Sequence, residues 1–276
     1  MYKDLVVNLS VRKNAASGRD YALSIASAFD AHITGVAFAF VPNIPGASMG
    51  YLPLETIETQ QRDNERDAET AVSEFTSAAT AAGVIAETRI VRSSLDDAAD
   101  NFSLFARCFD LAIVGQTNPS QNSVNGMISE STLFESGRPI IVVPYIQRAP
   151  LKLDRVMICW DGSRAAVRAI ADAAPFLDRA SAIEVVTVSD DHRKRNNIQG
   201  ADIGLHLARH GYKIDVNQLS RGDMDIADVL LSHAADSGAD LIVMGGYGHS
   251  RMREFLLGGV TRSIFQSMTV PTLMSH

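Results

Sequence analysis

Short apolar, β-branched runs alternate along the chain with longer stretches in which apolar residues recur every three or four positions. The first pattern marks strands and the second marks helices. Leu5 to Leu9 reads as a strand, about Ser17 to Phe29 as a helix, and His32 to Phe40 as a strand. Pro42, Pro45, Gly46, Gly50 and Pro53 make residues 41–53 a loop. A long polar and alanine-rich helix runs from Leu54 to about Ala82, followed by a strand over Ile85–Val91 and a helix over Ser94–Cys108. The strand Asp110–Gly115, a loop to about Asn125, a short helix near Ser129–Glu135 and the strand Pro139–Val143 complete the first half.

The second half repeats the order. Strands are expected at Arg155–Trp160, Ala182–Val188, Tyr212–Leu219, Ala239–Met244 and Val270–Met274. Helices are expected at Ser163–Leu177, Lys194–His210 with Gly211 as its cap, Asp223–Ser237 and about Thr261–Met268. Particular residues recur too. Asp110-Leu-Ala-Ile-Val-Gly115 matches Asp240-Leu-Ile-Val-Met-Gly245, and Phe134-Glu-Ser-Gly-Arg-Pro139 is echoed by Phe265-Gln-Ser-Met-Thr-Val-Pro271. A spacing of roughly 130 residues is a domain-sized repeat. The expectation is two α/β domains, 1–146 and 147–276, joined near Tyr145–Asp154. Each is expected to be a Rossmann-like, five-stranded, mostly parallel sheet with helices on both faces. Ligands of such sheets bind beyond the carboxyl ends of the strands, where the strand order reverses.

Past the strand that ends at Met244 comes Gly245-Gly246-Tyr247-Gly248-His249-Ser250-Arg251, and then Gly258-Gly259-Val260-Thr261 at the start of a helix. The spacing is Gly-x2-Gly-x9-Gly. Glycines let a backbone approach an anion, and successive N–H groups can form an anion-binding concavity. A helix N-terminus adds unsatisfied donors and a favourable dipole. Thr261 offers a hydroxyl, and His249, Ser250 and Arg251 lie within reach of an outer phosphate. The pattern suits a polyphosphate.

This loop resembles the nucleotide-binding motif of the universal stress protein family, Gly-x2-Gly-x9-Gly-Ser/Thr. Gly259 stands where the family usually has Ser or Thr, which keeps the backbone amide and drops a hydroxyl. Val156-Met-Ile-Cys-Trp-Asp161-Gly162-Ser163 is similar to the family's opening strand. The resemblance implies a tandem member, folded as two adenine nucleotide alpha hydrolase-like domains in an intramolecular pseudo-dimer that can pair further as a homodimer. It places Asp161 beside the nucleotide and Val188 against adenine through its backbone. Met244, Gly245, Gly248, Gly258, Gly259 and Val260 would line the ribose and phosphates. The implied cofactor is ATP, carried with Mg or Mn. The implied role is a stress response in which nucleotide state switches conformation or protein partners. Slow ATP hydrolysis is the most activity it implies, since no general base is evident. An aspartate before Gly-Ser also caps helices, and that reading of Asp161 stands beside the ligand one.

The first half lacks these features. Its strand ends Asn8-Leu9-Ser10, its loop reads Gly115-Gln-Thr-Asn-Pro119, and Met127-Ile128 falls where the second half has Gly258-Gly259. It is not expected to bind ATP in the same way. The rival reading of the whole chain is a binding module that takes another ligand on its surface or in an apolar cavity.

Composition narrows the classes. A net charge of −7 argues against nucleic-acid and anionic-membrane partners. No apolar run approaches a membrane span, and the opening residues lack a signal-peptide pattern. Two cysteines, Cys108 and Cys159, fit a reducing, cytoplasmic setting. His206 and His210 stand i, i+4 on a predicted helix, but without a third ligand in view the pair reads as a solvated face. Neither a dehydrogenase Gly-x-Gly-x-x-Gly after a first strand nor a Gly-x4-Gly-Lys-Ser/Thr loop is present.

Overall fold

The computed structural model describes residues 1–9, 16–41, 54–117, 124–189, 201–246 and 259–276. Its contacts divide the chain into two compact units, Met1–Arg138 and Pro139–His276.

In the first unit β1 (Asp4–Leu9), α1 (Ala16–Phe29), β2 (His32–Phe40), α2 (Leu54–Ala82), β3 (Ala86–Ser93), α3 (Leu95–Ala106), β4 (Leu111–Gly115) and α4 (Asn125–Glu135) follow in order. The strands lie β3-β2-β1-β4, all parallel. The apolar runs of β1 and β4 are buried along almost their whole length, as parallel strands covered on both faces must be. Helix α2 turns Ala68, Phe75 and Ala79 inward. A Cβ on Gly35 of β2 would come within 2.8 Å of the Phe75 ring, so the ring packs directly onto bare strand backbone. Helix α3 starts where Ser94 accepts from the Asp97 N–H at 3.1 Å.

In the second unit come β5 (Ile140–Val143), β6 (Arg155–Cys159), α5 (Arg164–Leu177), β7 (Ala182–Ser189), α6 (Ala201–Arg209), β8 (Ile214–Ser220), α7 (Ile226–Ser237), β9 (Leu241–Gly245), α8 (Val260–Ser267) and β10 (Thr272–Ser275). The strand order is β5-β10-β9-β6-β7-β8. All pairs are parallel except β5 with β10, which is antiparallel. The strand that sequence periodicity groups with the first half, Ile140–Val143, is thus found against β10. Its four residues are all buried. Such a strand needs a partner for its ladder, and periodicity does not say which.

The repeat is visible in the register. Leu5 pairs Leu111 as Val156 pairs Leu241, and Asp4 pairs His32 as Arg155 pairs Ala182. The repeated aspartates have a local reason. Asp110 Oδ2 accepts from the backbone N–H of Lys3 at 2.8 Å and of Asp4 at 3.1 Å. Asp240 Oδ2 accepts from that of Arg155 at 3.0 Å.

Several boundaries move. Helix α4 begins at Asn125, four residues before the expected Ser129. Helix α7 begins at Ile226, with Asp225 as its N-cap, three residues after the expected Asp223. Of the helix expected over Lys194–His210, Ala201–Arg209 is helical, and residues 190–200 lie outside the described residues. Gly211 (φ +91°) and Gly238 (φ +67°) end α6 and α7 in the left-handed region that favours glycine. Among the described residues no helix is long and apolar enough to cross a membrane.

Candidate functional site

Strand β6 has β9 on one side and β7 on the other, and the chain leaves β6 and β9 in different directions. β6 leads into α5, which packs over β9 and β10, while β9 leads on to α8, which packs against α7. The strand order therefore reverses at the β6–β9 pair, and a crevice opens beyond their carboxyl ends. Cys159 pairs Met244 at its base, so Asp161 and Gly245-Gly246 stand on its two sides.

The turn out of β6 is tightly built. Asp161 Oδ1 accepts from the Ser163 N–H at 2.9 Å, across Gly162 at φ +76°. Ser163 then caps α5, its Oγ accepting from the Ala166 N–H at 3.1 Å. One oxygen of the exposed Asp161 carboxylate is thus committed to the turn. Its charge is also felt by the neighbouring Cys159, whose thiol is pushed up to about 12 by burial first and then by the Asp161 and Glu184 carboxylates. Cys159 is a neutral thiol at physiological pH and no nucleophile.

Gly245 has a structural reason to be glycine. A Cβ there would lie 2.5 Å from Ala166 N and 2.7 Å from Ala165 C, inside the first turn of α5. The close approach of β9 to α5 requires it whether or not a ligand is bound.

Among the described residues the Val188 backbone has no ladder partner on the β6 side. The β6–β7 ladder ends at Cys159↔Val186, with Trp160 N–H donating to Val186 O at 2.8 Å. Two residues further along β7, Val188 turns the same backbone edge toward β6, which has ended. On its other side it pairs Leu219 of β8. The side chains of Cys159, Val188, Leu219, Ile226 and Val260 are partly buried and pack on the core formed by Met157, Val186, Leu230 and Ile242. They make an apolar floor beside this strand edge. Leu219 and Ile226 are additions to the residues marked from sequence, where nothing but their place at a strand end and a helix start would have pointed to them.

The far side is the start of α8. Gly259 is its N-cap in extended conformation (φ −62°, ψ 153°) and has no side-chain cap. Arg262 and Ser263 donate to Gly259 O at 3.0 and 3.2 Å, so any anion binding falls to the N–H groups ahead of them. Thr261 is 2% exposed. Met244 is buried in the strand. Gly248, His249, Ser250, Arg251 and Gly258 lie outside the described residues. The structure thus brings Asp161, Val188, Gly245, Gly259 and Val260 to one end of one sheet. Among the described residues no three His, Cys, Asp or Glu side chains converge as a metal cluster.

The matching place in the first unit is differently made. Asn8, at the register of Cys159, donates from Nδ2 to Asn125 Oδ1 at 3.0 Å, and both residues are buried. With Phe134 set against Phe265, Ile128 matches Gly259. Ile128 is helical and fully buried, whereas Gly259 is extended. An extra helical turn, tied down by an amide pair, stands where the second unit has its glycine pair.

Comparison with known proteins agrees with this architecture. Residues 152–276 match the model of the universal stress protein family. A universal stress protein from Synechocystis is 24% identical over 176 residues, which are 60% of this chain and 57% of that protein. The chain therefore matches little more than half the length of that relative. A universal stress protein from Archaeoglobus fulgidus superimposes with a TM-score of 0.73 at 17% identity, covering 98% of this chain and 97% of that one. A functionally unknown protein from Pseudomonas aeruginosa gives 0.58 at 14% identity, covering 99% and 92%. These structural likenesses bear on the fold alone. Residues 152–276 thus match the universal stress protein family, and the whole length shares the fold of the Archaeoglobus protein.

Proposed function

We propose that the second unit binds ATP in the crevice beyond β6 and β9, and that the chain acts in stress response by changing conformation or partners with nucleotide state. The observation that carries this reading is the backbone edge of Val188, without a ladder partner toward β6 among the described residues, beside an apolar floor that includes Val260 at the start of α8. The edge can give adenine a donor and an acceptor, and the floor suits its flat apolar face. The start of α8 and the Gly-x2-Gly-x9-Gly spacing suit phosphates. The exposed Asp161 would repel bare phosphates, so Mg or Mn bound with them fits this residue, which can offer the cation a carboxylate oxygen. The nucleotide supplies a polyphosphate whose occupancy the chain reads out. The residues bind and orient it, and none among the described residues is placed as a general base.

The first unit is proposed to be silent toward ATP, because its glycine pair is replaced by the first turn of α4. Calorimetric titration of the nucleotide-free chain with ATP and Mg²⁺ tests both statements. One site per chain is expected, lost in a folded Gly248→Val, Gly258→Val variant. Two sites would overturn the reading of the first unit. No binding by the wild type would overturn the ATP reading in favour of a module that uses the apolar floor for another ligand.

A further inference from the structure

Helix α6 carries a feature that the nucleotide crevice does not use. The rings of His206 and His210 lie with centroids 4.8 Å apart and planes at 65°. Both residues are exposed. The packing of the helix decides this. Leu207 is 2% exposed, and a Cβ on Gly204 would come 2.7 Å from Val216 Cγ2, so Gly204 and Leu207 press α6 onto β8. The histidine pair is left on the solvent side with its rings drawn together.

We propose that His206 and His210 form a two-imidazole chelate for a late first-row divalent cation, Cu²⁺ or Ni²⁺ ahead of Zn²⁺. Imidazole nitrogen binds such ions at about 2.0–2.1 Å, which places a ring centroid about 3.3 Å from the metal. With one nitrogen of each ring turned to a shared ion, the observed separation of this edge-to-face pair corresponds to roughly 90–95° there, a cis angle suited to tetragonal Cu²⁺ or Ni²⁺ and narrow for tetrahedral Zn²⁺. The affinity order for nitrogen ligands runs the same way. The surroundings help a cation. The pair stands at the C-terminal end of α6, the negative end of its dipole. Asp202 lies one turn before His206, on the same side of the helix. Arg209 opposes them with one positive charge. Since no third His, Cys, Asp or Glu joins the pair among the described residues, water or an outside ligand fills the other positions. Mg²⁺, which prefers oxygen ligands, has no place here, so this site is distinct from any cation that accompanies a nucleotide.

The test is titration of the nucleotide-free full-length chain with Cu²⁺ and with Ni²⁺, beside His206→Ala and His210→Ala variants whose fold is checked by circular dichroism. Wild type is expected to show one saturable site, and each single substitution to weaken it by about tenfold or more, because each removes half of the chelate. Cu²⁺ should also broaden the imidazole resonances of these two histidines before any other. The proposal fails if wild type shows no saturable site, if either variant binds like wild type, or if other histidines broaden first.

Discussion

Replacing Gly245 with alanine separates the fold's demand for this glycine from any demand of a ligand. The new methyl would sit 2.5 Å from Ala166 N, 2.7 Å from Ala165 C and 2.9 Å from Ala165 Cβ. Two of these atoms are backbone in the first turn of α5, so no side chain can swing away. Restoring ordinary contact requires the helix to retreat by on the order of 1 Å, and overpacking of this kind costs about 1–3 kcal/mol. With a urea slope of about 2 kcal/mol/M for a unit of this size, the midpoint should fall by about 0.5–1.5 M. The assay is convenient because Trp160 is the only tryptophan of the chain and lies in the second unit, so its fluorescence follows the unfolding of that unit. Gly115 provides the control. A Cβ there meets nothing nearer than Asn125 Nδ2 at 3.5 Å, an ordinary contact, because the facing residue of α1 is Gly18. Gly115→Ala should leave the unfolding of the first unit, followed by circular dichroism, within about 0.5 kcal/mol of wild type. If Gly245→Ala unfolds at the wild-type midpoint without nucleotide yet loses ATP affinity, the glycine belongs to the ligand and the packing argument is wrong.

Four further outcomes follow from the same geometry. Gly259→Ser places a capping hydroxyl on an N-cap whose backbone any residue can adopt. It should stabilise the second unit by a few tenths of a kcal/mol and tighten ATP binding, and unchanged affinity in calorimetry would count against α8 as the phosphate end. Cys159 has a folded-state value near 12 against an ordinary 9.0, so the unfolded chain loses this proton first. Its contribution to stability is therefore full below pH 9.0 and is lost as pH rises toward about 12. Tyr212 is raised into the same range, so the Cys159 share is read as the difference between wild type and Cys159→Ala in urea melts across that window. At pH 8, a thiol reagent should label the exposed Cys108 quickly and the half-buried, protonated Cys159 much more slowly in the folded chain. Asp240→Ala removes a charge-assisted bond to the start of β6 and should cost about 1–2 kcal/mol, read by Trp160 fluorescence in urea.

The alternation of strand and helix, the repeat of an aspartate-led strand ending in glycine, and the spacing of the glycines beyond β9 were all legible in the sequence. Each is a matter of local conformation. Period-two and period-3.6 patterns report which face of an element is buried, and Asp-Gly-Ser reports a turn into a helix. The family resemblance rested on the same short-range features. What the sequence did not disclose depends on residues far apart in the chain. Gly245 was assigned to phosphate from its place in the motif, yet its missing Cβ is filled by α5, some eighty residues earlier. Asn8 closes on Asn125 across 117 positions, and no periodicity signals that such an amide pair will occupy the crevice of the first unit. Four apolar residues told that Ile140–Val143 is a buried strand but not that its partner is β10. The spacing of His206 and His210 was plain, whereas the 4.8 Å approach of their rings and the seating of α6 on β8 through Gly204 were not. Sequence by itself determined which segments are strands and helices, because backbone preference and burial pattern act over a few residues. Only the tertiary structure decided what each side chain touches, because register and helix packing bring together atoms that the order of residues leaves unrelated.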